Sequence, residues 1–178
     1  MIFWKPFLYA GITYDLSHLH PTLITYLQTA KEGKPERAYK VQIIFSLHCF
    51  TSGKIKGEQY ASSLYYKDNI ETRIFDFKRY ALSKGLPEIM RNLMQKQCYH
   101  TEKGNFFALE LVDNKGNKKN YEIYFIVFLS AENRLTLRVQ SAYIRDEHHL
   151  GSQPKRQKIN FGVILSNTQA RKPIKPPK

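Results

Sequence analysis

Between residues 105 and 167 apolar and polar positions alternate in four successive runs, each bounded by turn-forming residues. Phe106 to Asp113 meets a turn at Asn114, Lys115, Gly116 and Asn117, and Tyr121 to Leu129 returns from it. Ala131, Glu132, Asn133 and Arg134 reverse the chain into Leu135 to Ile144; after a polar loop, Lys158 to Ser166 closes the series. β-Branched and aromatic runs bounded by Asn, Gly and Asp are the signature of hairpins. The pattern therefore predicts a four-stranded antiparallel sheet.

Towards the N-terminus the period is again two. Phe7 to Leu19 reads as extended, with Gly11 a weak point and Pro21 a stop, and Thr22 to Thr29 is expected to pair back on it. Ala38 to Thr51 places Tyr39, Val41, Ile43, Phe45 and Leu47 on one side and Lys40, Gln42, Ser46 and His48 on the other. Residues 1–52 thus predict a three-stranded antiparallel meander with one wet face. From Ser52 to Thr72 the pattern dissolves. Asp76 then suits the N-cap of a helix running to Lys84, with Gly85 as its stop. Pro87 opens a second helix through Gln97, whose Ile89, Met90, Leu93 and Met94 form a buried stripe. The expected architecture is one α+β domain over residues 1–168: the meander (1–52), then a helix pair packed on the four-stranded sheet (75–168). Residues 169–178 form a basic, Pro-rich tail that reads as extended or disordered.

Charge adds a partner class. Lys and Arg number 28 against 15 Asp and Glu, a net +13, which favours polyanionic partners: nucleic acid, an anionic membrane surface, or an acidic protein. The cations gather at Lys54 and Lys56, Lys78 and Arg79, Lys115 to Lys119, Lys155 to Lys158, and from Arg171 onward. Hairpin tips of this kind can align into a patch that tracks a phosphate backbone, although charged tips also serve solubility. Cys49 and Cys98 do not make a secreted disulfide framework. The apolar opening is broken by Lys5 and Pro6, and no run reaches the ~18 apolar residues of a membrane span, so a cytoplasmic protein without a membrane partner is expected.

Two stretches carry candidate chemistry. The first is Cys98 to Asn105, read as a loop between a helix and the first core strand, where His100, Glu102 and Lys103 supply the groups needed for proton transfer and phosphate stabilisation near neutral pH. The plainer reading leaves His100 at a helix end and the charges solvated. The second is Arg138 to Asp146, where Leu135, Leu137 and Val139 share a parity that continues into Ser141, Tyr143 and Arg145. A core-facing row that turns polar suggests a cleft, with Arg145 forking onto phosphate and Tyr143 donating or stacking. Alternatively, Tyr143 packs as core and Arg145 pairs with a carboxylate. His18 and His20 would face one side of a strand, a possible start for a metal site, but no pair has C-x2-C spacing and hydrogen-bonded structural histidines explain the scatter better. No motif calls for a cofactor or metal.

The order helix, helix, four antiparallel strands, together with the basic surface, resembles the barnase, colicin D/E5 and RelE-like toxin ribonucleases over residues 75–168. The resemblance lies in element order and charge rather than in a shared motif. It implies metal-independent RNA cleavage by a toxin held by an acidic antitoxin. On that basis His100 is expected as acid or base, Lys103 and Arg145 on the phosphate, and Tyr143 as positioning or stacking group. A non-enzymatic module that binds nucleic acid or an acidic protein through the same basic surface is the alternative.

Overall fold

The computed structural model describes residues 2–30, 35–101, 104–114, 117–145 and 157–175. In chain order, β1 (Phe7–Tyr9) and β2 (Ile12–Tyr14) form one hairpin, and β3 (Thr22–Gln28) and β4 (Arg37–Phe45) a second. β5 (Thr51–Ser52), β6 (Tyr65–Lys67) and β7 (Thr72–Phe75) make a small sheet ordered β5-β7-β6. Helices α1 (Phe77–Ser83) and α2 (Leu86–Arg91) follow. Then come β8 (Cys98–His100), β9 (Phe106–Asn114), β10 (Asn117–Leu129), β11 (Leu135–Ile144), β12 (Gln157–Ile159) and α3 (Phe161–Gln169).

The α+β class holds, but the two predicted sheets are one. A seven-stranded sheet runs β12-β8-β9-β10-β11-β4-β3, antiparallel throughout except where β4 lies parallel to β11. Val41, Ile43 and Phe45 align with Leu135, Leu137 and Val139, so the two apolar rows continue one inner face. The expected three-stranded meander does not form, because residues 7–14 fold on themselves. Ala10 (φ 49°) and Gly11 (φ 76°) give the tight turn between Tyr9 and Ile12 the two positive φ values of a primed turn. That spends the pairing capacity of this segment locally, and β3 is left at the edge of the sheet.

The predicted strand from Lys158 to Ser166 is a second correction. Only Gln157–Ile159 is strand; Asn160 then accepts from the Gly162 N–H at 2.8 Å and caps α3. Phe161, Ile164 and Leu165 are buried while Val163 is exposed, a helical rather than an alternating pattern. Gly162 permits the close approach: a Cβ there would meet the Gln28 side chain at 3.2 Å. The expected loop from Cys98 also holds a strand, β8, paired with both β9 and β12.

Asp76 caps α1 as predicted, accepting from Lys78 N–H and Arg79 N–H at 3.0 Å each. The second helix stops at Arg91 instead of reaching Gln97. Asn92 donates its side-chain amide to the Glu88 carbonyl, competing with the backbone ladder, and a short 3-10 turn over Leu93–Gln95 leads into β8. Leu86, Met90 and Leu93, with Phe161, Ile164 and Leu165, bury one face of the large sheet in a single cluster that extends back to Trp4. Each such side chain contributes roughly 1.5–3 kcal/mol of transfer free energy. The tail is not wholly detached: Ile174 packs against that cluster. Among the described residues no helix is long and apolar enough to cross a membrane.

Candidate binding trough on the outer sheet face

A β-bulge decides which way the third late strand points. Tyr124 pairs with Ser141 but Phe125 pairs with Val139, so Gln140 is the extra residue and the side-chain parity of β11 inverts there. Leu135, Leu137 and Val139 face the core before the bulge, and Ala142 faces it after. Ser141, Tyr143 and Arg145 are carried to the outer face instead. The parity argument made from sequence fails at this one inserted residue.

On that outer face the rings of Tyr99, Phe107, Tyr124 and Tyr143 stack across four strands, with successive centroids 5.0, 5.5 and 5.7 Å apart. The Arg79 guanidinium lies over the Tyr143 ring at 5.1 Å. Arg145 forks onto Glu122, Nε to Oε1 at 3.1 Å and Nη2 to Oε2 at 2.9 Å, and the Tyr124 hydroxyl donates to the same carboxylate at 2.8 Å. Glu122 is 1% exposed and Tyr143 9%. Hydrogen bonding to Glu122 holds the Arg145 guanidinium's pKa above its ordinary value, while burial raises those of the Tyr124 and Tyr143 hydroxyls. Tyr143 and Arg145 therefore occupy a closed structural cluster, the plainer of the two sequence readings.

His100 lies elsewhere. It points with Cys98 into the inner core, 4% exposed and edge-on to Phe106 at 5.3 Å, while Tyr99 between them joins the outer ladder. The register His100–Phe106–Phe125–Val139 puts it three strands from β11, ~14 Å at sheet spacing, and on the opposite face from Tyr143 and Arg145. Lys103 lies outside the described residues. The four candidates are thus not brought into one site among the residues described. The turn after β8 is tied to the bulge instead: Thr101 bonds Asn105, and the Asn105 amide donates to Gln140 Oε1 at 2.9 Å.

One run of openings lies over the parallel pair. At the carboxyl end of β4 a cavity of about 690 Å³ is lined by Trp4, Ile44, His48, Glu71, Arg138 and Gln140, among others. It continues through Ile44 and Arg138 into a depression at Phe128, and through Gln42 and Arg134 to Leu23 and Lys40. The result is a trough along β4 and β11, ~23 Å from Arg134 to Ser141 at strand rise. Lys40, Arg134 and Arg138 are exposed along it, and Arg138 lies over the Phe128 ring at 5.4 Å. Arg134 pairs with Glu132; among the described residues no carboxylate is within ion-pair distance of Arg138 or Lys40. At the cavity end His48 Nε2 is 2.6 Å from Glu71 Oε1, and Arg73 holds the other Glu71 oxygen at 3.4 Å.

The YjaZ family model matches residues 6–169. The chain belongs to the YjaZ family. It is 31% identical over 175 residues to Protein YjaZ of Escherichia coli (strain K12), covering 97% of this chain and 96% of that one. No solved structure matches it.

In this YjaZ-family chain His18 and His20, the pair considered from sequence as the start of a metal site, each have a hydrogen-bond partner. His18 Nε2 meets Ser83 Oγ at 2.9 Å and His20 Nε2 meets the Trp4 carbonyl at 3.1 Å; burial lowers the His18 pKa. Among the described residues no three His, Cys, Asp or Glu side chains converge as a metal site. Cys49 and Cys98 are buried free thiols, each pushed up to about 12 by burial. The trough was missed from sequence because it needs β4 beside β11, a parallel contact between strands about ninety positions apart. Its one legible sign was the wet face of β4 that carries Lys40 and Gln42; the predicted strand to Thr51 ends at Phe45, and Ser46 and His48 lie in the 3-10 turn that follows.

Proposed function

We propose that this protein is a nucleic-acid-binding module that holds single-stranded RNA along the β4–β11 trough. The observation that carries the reading is the trough itself: exposed Lys40, Arg134 and Arg138 flank half-buried Ile44 and Phe128 in a chain of net charge +13. Cations along a groove neutralise backbone phosphates, and an apolar or aromatic floor accepts bases that are not stacked in a duplex. Fluorescence anisotropy with a random single-stranded RNA at two salt concentrations tests it. Affinity should fall steeply with salt, and the double variant R134A/R138A should bind about 10-fold more weakly or worse, with a salt slope reduced by about two. No binding at low salt, or equal binding by the double variant, would overturn it. Binding of an acidic protein in place of RNA would move the trough to the other partner class.

One observation favours a catalytic version, a metal-independent ribonuclease. His48 and Glu71 stand 2.6 Å apart in the cavity wall that Arg138 also lines. There His48 would take the proton of an RNA 2′-hydroxyl as that oxygen attacks phosphorus, with Glu71 stabilising the imidazolium and Arg138 facing the non-bridging oxygens. The bond to the 5′-oxygen breaks and that oxygen takes a proton from water, leaving a 2′,3′-cyclic phosphate and a 5′-hydroxyl. His48→Ala should abolish cleavage and leave RNA affinity within about twofold, a split that P-to-O bond cleavage requires and simple binding does not. RNA left intact by the unaltered protein would reduce the function to binding.

A further inference from the structure

β3 ends the large sheet, and its sequence Thr22-Leu-Ile-Thr-Tyr-Leu-Gln28 contains no charge, proline or glycine. Edge strands in soluble proteins are ordinarily guarded by one of these, or by being short, because their free N–H and C=O groups template pairing with another strand. The opposite edge follows that rule: β12 has three residues and includes Lys158. β3 has seven, and among the described residues its outer edge has no backbone partner. Leu23 and Leu27 are 62% and 58% exposed on the outer face, with Thr25 exposed between them.

The pattern is self-complementary. Turned about a two-fold axis through Thr25, the strand sets Leu23 against Leu27 of a second copy, and Leu27 against Leu23. Ile24 meets Tyr26 on the other face in the same register. No like charges oppose each other within the ladder. The nearest cation on the outer face, Lys40, is the β4 partner of Thr25. In the paired arrangement it would be three strand spacings, ~14 Å, from its copy, beyond a physiological Debye length of ~8 Å. The net charge of +13 thus offers little local opposition to the contact.

From this long, uncharged and self-complementary edge we infer that β3 pairs antiparallel with β3 of a second copy of this chain, joining two sheets into one. The inference does not rest on the RNA reading, although Leu23 also lines the far end of the trough. Sedimentation of the full chain should show a concentration-dependent species of twice 20.9 kDa. The double variant L23K/L27K should be monomeric with an unchanged far-UV spectrum, since both side chains are exposed. Thr25→Cys supplies the register test, because in this pairing the residue faces itself within disulfide reach. With Cys49 and Cys98 buried, oxidation should crosslink Thr25→Cys to a dimer much faster than a Lys172→Cys control. A monomer at the highest soluble concentration, a dimer indifferent to L23K/L27K, or crosslinking no faster than the control would each overturn the inference.

Discussion

The outer face of the seven-stranded sheet divides into two halves built from the same kinds of residue and put to opposite use. Over β8 to β11 the rings of Tyr99, Phe107, Tyr124 and Tyr143 stack, and Arg145 is forked onto Glu122. Over the end of β10, β11 and β4, Phe128 and Ile44 are half-buried, while Arg138 and Lys40 reach solvent without a carboxylate in range among the described residues. An arginine beside an aromatic ring therefore says little about function by itself. What separates the halves is Glu122: a buried carboxylate requires its cation, and the cation so held is not available to a ligand. The bulge at Gln140 divides them, since it is there that β11 turns its alternate side chains over.

The comparison is tested most severely by removing the cation from the closed half. Arg145→Ala leaves the Glu122 carboxylate, 1% exposed, with the Tyr124 hydroxyl but without its forked partner. A loss of about 3 kcal/mol is expected in urea denaturation, at the lower end of the range for a broken buried pair because Arg145 keeps some solvent contact. Replacing both partners with apolar residues, E122L/R145M, should recover most of that loss, as the penalty lies in the stranded charge. A change below about 0.5 kcal/mol for Arg145→Ala would mean that the closed half is not held by this pair.

Sequence reading succeeded where a single local cause sets the structure and failed where a distant contact does. The strand from Leu135 to Ile144, the turn at Ala131 to Arg134 and the Asp76 cap were legible because turn residues, alternation and capping are local signals. The β4–β11 pairing was not, since nothing in either strand encodes a parallel neighbour. The helix from Phe161 was misread because its Val163-Ile164-Leu165 run carries β-branched character, although Asn160 ahead of it was an available capping signal. At the predicted site the error was one of counting: one unpaired residue, Gln140, reverses parity, and Tyr143 and Arg145 leave the face on which His100 lies. The cationic residues that do line an opening were visible as composition only, because sequence gives their number and the fold gives their neighbours.

Arg138→Ala is the gentlest test and the one that most sharpens the contrast. Its guanidinium is exposed and rests over Phe128, an arrangement that contributes about 0.5 kcal/mol at such a site. No buried carboxylate depends on it, so the denaturation midpoint should move little, a change within about 0.5 kcal/mol. If the trough binds RNA, the same substitution lowers affinity and removes about one unit of salt slope. Stability and binding would then separate at Arg138 while at Arg145 stability is lost first. Should Arg138→Ala instead cost more than about 1 kcal/mol, the open half is as structural as the closed one, and the division of the face fails.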